Sequence, residues 1–160
     1  MEATTAKEVF ITRTFNAPVE LVYEAWSDEK HLSQWYAPDG CELHLLKLDF
    51  KPGGVFHHYI VAPDGFQCWV IAVFKEIVPN EKIVYSLAFS DKDGNVLKEV
   101  PFEKHPDWPL ETTVTILFEE VNGKTTITLH QTVSEELAKQ TGAYPSWLSM
   151  LDKLEKIIPG

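Results

Sequence analysis

Between positions 41 and 131 the apolar residues recur at every second position in short runs, and each run ends in residues that turn the chain back on itself. The runs span 41–49, 54–61, 66–77, 82–89, 111–120 and 124–131. Lys51-Pro52-Gly53-Gly54, Pro63-Asp64-Gly65, Pro79-Asn80, Asp93-Gly94 and Asn122-Gly123 separate or interrupt them. A period of two sends successive side chains to opposite faces of a strand. Asp-Gly and Asn-Gly tolerate the positive φ that tight hairpin turns demand. Connections this short join antiparallel neighbours, because a parallel pair needs a crossover of about a dozen residues or more. This stretch therefore reads as an antiparallel meander.

The flanks carry a different period. Residues 8–15 are rich in β-branched and aromatic types and suit a first strand. Asn16-Ala17-Pro18 breaks it, with Asn16 a candidate cap and Pro18 in the first turn of a helix whose apolar face is Leu21, Val22, Ala25 and Trp26. A second short helix follows over 28–35, capped by Ser27 or Asp28 and closed by Pro38-Asp39-Gly40. Residues 134–158 are helical, in a short piece over 134–140 and a long piece from Tyr144 or Pro145. On the long piece Tyr144, Trp147, Leu148, Leu151, Leu154 and Ile158 share one face, while Asp152, Lys153, Glu155 and Lys156 look outward. A twisted sheet with one apolar face needs such a helix against it. The expected fold class is α+β, seven antiparallel strands wrapped around a long C-terminal helix, with two short helices after the first strand. At 160 residues one domain accounts for the chain. The segment 90–109, with Pro101, His105, Pro106, Trp108 and Pro109 among charges, reads either as a lip over an opening or as a mobile surface loop.

Charge narrows the partners. A formal net charge of -10 repels nucleic acid and anionic lipid surfaces. Lys153 and Lys156 alternate with Asp152 and Glu155, so no basic patch forms there. No signal-like N-terminus and no run long enough to span a bilayer is present, so a cytoplasmic protein without membrane insertion is expected. Cys41 and Cys68 are too few for a disulfide framework and read as reduced thiols in or near the core.

Catalytic signatures are sparse. His57 and His58 are adjacent in a strand and must face opposite sides. His31, His44, His105 and His130 lack zinc-motif spacing. No serine occupies a nucleophile elbow, and Gly53-Gly54 lacks the rest of a phosphate loop. Neither a metal nor a cofactor is expected, and no catalytic residue stands out. What remains is the amount of apolar and aromatic material that must point inward. A curled sheet can leave a concave apolar space between itself and the helix, or pack it solid. Candidate lining residues are Phe56, His58, Tyr59, Trp69, Ile71, Tyr85 and Tyr144. Arg13, the single arginine, is a candidate anchor for an acid or an anionic ligand group, or a salt-bridge partner near the surface.

The stretches ITRTFNAPVELVYEAWSDEKHLSQWYAPDG, LDFKPGGVFHHYIVAPDG and WLSMLDKLEKII resemble the family related to the C-terminal domain of the activator of the heat-shock protein 90 ATPase. That family lies in the START-like (SRPBCC, helix-grip) superfamily, and the resemblance extends to its calicheamicin-resistance-like group. The matching pieces are Arg13, Phe15, Ala17-Pro18, Ala25-Trp26, His31-Leu32 with Trp35, Pro52-Gly53-Gly54, and Trp147 with Leu151 and Leu154. The resemblance implies a helix-grip sheet with a cavity for lipids, polyketides or other hydrophobic molecules, and adds Trp35, Trp147, Leu148 and Leu151 to the candidate lining. Tyr36 and the polar segment 90–109 depart from the family pattern where the entrance would be shaped. A heat-shock chaperone interaction is not expected, since the sequence offers no separate chaperone-binding domain. Three functions follow as expectations: a carrier of a small hydrophobic or aromatic molecule, linked to stress response or resistance; a cyclase, dehydratase or hydrolase using His58, Tyr85 or Tyr144; and a protein-interaction module, as a homodimer through the sheet or the long loop.

Overall fold

The structure is a computed structural model that describes residues 7–99 and 108–158. In chain order it runs β1 (Glu8–Phe15), α1 (Val19–Ser27), α2 (Glu29–Trp35), β2 (Glu42–Leu48), β3 (Val55–Val61), β4 (Gln67–Val78), β5 (Lys82–Phe89), β6 (Glu111–Val121), β7 (Lys124–Ser134), α3 (Glu135–Thr141) and α4 (Ala143–Ile157). The strands form one seven-stranded antiparallel sheet in the order β1-β7-β6-β5-β4-β3-β2. Each meander strand pairs with its sequence neighbour, as the turn chemistry requires, and β1 closes the order by pairing with β7. The long way from β1 to β2 is covered by the two short helices.

Alternation decides which face is filled. On β7, Thr125, Ile127, Leu129, Gln131 and Val133 are buried while the residues between them are half-exposed. On β6, Val114, Ile116 and Phe118 face the same side. Trp147, Met150, Leu151 and Leu154 of α4 complete that core, with Val22, Ala25 and Trp26 of α1 and Leu32 and Trp35 of α2 at one end. Trp35 is fully buried, and its Nε1–H donates to the Ala25 carbonyl at 2.9 Å, so two short helices that could not persist alone are tied together.

Local signals place the helix starts, with one exception. Asp28 accepts from the His31 backbone N–H, and Ser134 accepts from that of Leu137, as N-caps do. The His31 ring nitrogen 2.6 Å from the Asp28 carboxylate holds the Asp28 carboxyl below its ordinary pKa. Asn16 does not cap α1. Pro18 holds the cap position without a side-chain bond, and the Val19 N–H donates instead to Glu120 of β6 at 2.7 Å. A carboxylate from a distant strand thus satisfies the helix N-terminus, which favours negative charge. α4 begins at Ala143, after Gly142 at φ 91°, with Pro145 in its first turn. Of the segment 90–109, Asp91–Asn95 forms a turn closed by the Ser90–Val96 bridge, and Trp108 is buried; Pro101, His105 and Pro106 lie outside the described residues.

Candidate functional site

The sheet and α4 do not meet everywhere. Between β3, β4 and β5 on one side and the start of α4 on the other lies a cavity of about 280 Å³. Its sheet wall is His58 and Ile60 of β3, Cys68 and Val70 of β4, and Leu87 and Phe89 of β5. These residues share a face because the strands pair in register, with His58 opposite Val70 and Ile60 opposite Cys68. The helix wall is Ala143, Ser146, Trp147 and Met150, and Tyr36, Pro38 and Trp108 also line the space. Gln131 of β7 forms part of the floor. Among the described lining residues there is no lysine, arginine, aspartate or glutamate.

The enclosed side-chain nitrogen and oxygen atoms of the described lining residues have partners, with one exception. Gln131 Oε1 accepts from Trp147 Nε1–H at 2.9 Å, and its Nε2–H donates to Thr112 Oγ1 at 3.0 Å. The hydroxyl of Ser146 donates to the Gly142 carbonyl at 2.8 Å. The Tyr36 and Tyr85 hydroxyls share a hydrogen bond of 3.0 Å, and burial pushes the Tyr36 phenol up to about 12 and raises that of Tyr85 well above its ordinary value. Burial likewise raises the Cys68 thiol to about 11, so it sits there as a neutral thiol rather than a nucleophile. The exception is His58, 1% exposed, whose Nδ1 is enclosed without a hydrogen-bond partner. Its ring is held by stacking on Phe56, centroids 4.3 Å apart, and by the edge of Tyr36 at 5.5 Å. Desolvation, with a smaller repulsion from His57, lowers its pKa to about 3, so the imidazole is neutral at physiological pH.

Ten of the twelve candidate residues fall into three places, and Tyr144 and Arg13 stand apart from them. His58 and Trp147 line the cavity. Trp35, Phe56, Tyr85 and Leu151 are in the packed core beside it, with Leu148 half-buried against that core. There Phe56, Tyr85 and Trp26 surround a gap of only about 10 Å³, too small for a ligand. Tyr59, Trp69 and Ile71 carry the opposite parity from His58 and Cys68 and face away from α4. On that outer face Tyr59 stacks between His44 and Trp69, at 4.7 and 4.2 Å. His57 is there too, its Nε2 3.2 Å from Ser90 Oγ. Tyr144 lies half-buried beneath the Lys139 ammonium, 5.1 Å from its ring centre.

Arg13 shares the inner parity of β1 but reaches up to α4, pairing with Asp152 at 2.9 Å and Glu155 at 3.2 Å. Both carboxylates are largely exposed, so the pair clamps the sheet edge to the helix at modest benefit. Arg13→Ala is expected to change stability by less than about 1 kcal/mol and to leave ligand affinity unchanged, readable by urea titration and by ligand titration of the same variant. Gln131, Met150, Ser146, Val70 and Cys68 also line the cavity and were not among the lining residues expected from the sequence. Strand parity was the signal available for Val70 and Cys68, since both follow from His58 once β3 and β4 pair.

This sheet gripping a C-terminal helix, with two short helices after the first strand, is the helix-grip fold. The chain belongs to the family described as activator of Hsp90 ATPase homolog 1-like protein, whose model matches residues 16–158. Among solved structures it is similar to a protein from Staphylococcus epidermidis, with 26% identity, 98% of this chain and 92% of that one covered, and a TM-score of 0.80. It is also similar to a protein from Chromobacterium violaceum (22% identity, 96% and 99% covered, TM-score 0.77) and to the AHSA1 protein from Silicibacter pomeroyi (19%, 94% and 96%, 0.73). No curated protein matches it. Among the described residues no helix is long and apolar enough to cross a membrane, and no group of three or more His, Cys, Asp or Glu is placed to hold a metal.

Proposed function

We propose that the protein binds and carries a small, largely apolar molecule in the cavity between β3–β5 and α4. The observation that carries this reading is the cavity of about 280 Å³ walled by Ile60, Val70, Leu87, Phe89 and Met150. It lies just below the ~300–1,000 Å³ typical of small-molecule sites, so the occupant is the size of one or two fused rings. Burying roughly 250 Å² of ligand at ~25 cal/mol per Å² yields about 6 kcal/mol before the cost of immobilising the ligand, so a Kd in the tens of micromolar is the tightest that apolar burial alone supplies. Holding is favoured over turnover because a histidine acting as a base needs a second group to orient it, and Nδ1 of His58 has none.

Native mass spectrometry of gently purified protein is expected to show a bound small molecule, or else an apo protein that takes up the neutral dye N-phenyl-1-naphthylamine with a rise in fluorescence. Val70 stands opposite His58 in the sheet and faces the cavity. Val70→Phe is therefore expected to weaken dye binding at least tenfold while the protein remains folded by circular dichroism. Undiminished binding in that variant would place the dye elsewhere and defeat the assignment.

A further inference from the structure

Resting on that reading, we propose that His58 selects the ligand: the cavity takes an uncharged molecule bearing a hydroxyl group that hydrogen-bonds the His58 imidazole, and discriminates against carboxylates of the same shape. The argument is one of unmet demand. Gln131 has both ends of its amide engaged, Ser146 donates to Gly142, and Tyr36 is paired with Tyr85. Among the described lining residues, His58 is the one whose side chain carries an enclosed nitrogen, Nδ1, without a partner. Leaving such an atom unpaired is costly, so a ligand that satisfies it gains affinity, and one that cannot is penalised.

The chemistry of the group follows from the imidazole. A neutral ring offers one N–H donor and one bare nitrogen acceptor. A hydroxyl both donates and accepts, so it satisfies whichever nitrogen faces it in either tautomer, whereas an ether or carbonyl can only accept. Stacking on Phe56 and the edge contact with Tyr36 hold the ring in place before a ligand arrives. That preorganisation spares the ordering cost of the contact. Exclusion of acids has a separate cause: no cationic side chain is among the described lining residues, and an anion moved into an apolar site without a partner loses its hydration uncompensated.

The test compares naphthalene, 2-naphthol and 2-naphthoate by tryptophan fluorescence near neutral pH, where 2-naphthol is uncharged. Expected is 2-naphthol binding about tenfold more tightly than naphthalene and at least tenfold more tightly than 2-naphthoate. His58→Phe should erase the advantage of 2-naphthol while naphthalene stays within about threefold of its wild-type affinity. In the unsubstituted protein, the His58 ring ¹⁵N resonances should move with 2-naphthol and not with naphthalene, a readout that does not depend on the variant folding. Equal affinities for naphthalene and 2-naphthol, an advantage retained in His58→Phe, or preferential binding of 2-naphthoate would overturn the role of His58 and leave the cavity as a binding site. Failure of all three to bind would overturn both.

Discussion

Gly54→Ala is expected to destabilise the protein by about 3 kcal/mol or more, a large share of the ~5–15 kcal/mol available to a domain. The reason is space. A Cβ on Gly54 would sit 1.9 Å from the carbonyl oxygen of Asp49 and 2.9 Å from that of Lys51, and both are backbone atoms that no rotamer change can move aside. The turn is pinned on several sides: Asp49 N–H donates to Val55, Gly54 N–H to Lys51, Gly53 N–H to Phe74, and Phe74 N–H to Gly54, all within 3.0 Å. Relieving the overlap means opening the β2–β3 connection and its ties to β4. Gly53→Ala makes the contrast. Gly53 has open space around it but sits at φ +83°, so alanine there meets only the ~1–2 kcal/mol penalty of the left-handed conformation. Urea denaturation of the two variants should rank Gly54→Ala well below Gly53→Ala. Comparable losses would mean that the turn yields easily. Because Gly54 leads directly into β3, which carries Phe56 and His58, Gly54→Ala should also weaken ligand binding beyond its effect on the folded fraction.

The turns show why so much of the fold was legible. Asn80, Gly94, Asn122 and Gly123 all adopt positive φ at the positions where Asn and Gly had marked hairpin turns. Strand parity within the meander then assigns each residue to a face, and the predicted order of elements matches the observed one. The cap of α1 was invisible because its partner, Glu120, is a hundred residues away. The cavity was harder for a related reason. Both faces of β3 and β4 are rich in apolar and aromatic residues: Phe56, His58 and Val70 look toward α4, while Tyr59, Trp69 and Ile71 look away, Tyr59 stacking on Trp69 and His44. Alternation tells which residues share a face but not which face the helix covers. Register shifts at Leu45/Lys47 and Phe74/Glu76 add to this, since one extra residue reverses every facing beyond it. Whether α4 reaches the sheet or stands off it depends on the lengths of side chains from five separate elements, and no local pattern records that sum.

Mild acid is expected to destabilise the protein through His58, at about 1 kcal/mol or more per pH unit below pH 6. In the unfolded chain a histidine titrates near 6.5. In the folded protein, burial and the neighbouring His57 hold the His58 pKa at about 3. Between those values the unfolded state binds a proton that the native state refuses, so stability falls as the pH falls, by up to ~1.4 kcal/mol for each unit of the window. The contribution is fully present above pH 6.5 and is exhausted below the folded value. Asp28, Asp91 and Glu135 also have lowered pKa values, from hydrogen bonds to His31, Asn95 and Lys139 respectively, but their windows open only at or below the ordinary carboxylate range. The region from pH 6.5 down to about 5 therefore separates the histidine from the acids. Urea midpoints measured across it should decline in the wild type, and His58→Phe, which keeps the stack on Phe56 and has nothing to protonate, should lose at least half of that slope. An equal decline in both proteins would show that His58 takes up its proton in the folded state and is not held neutral in the cavity wall.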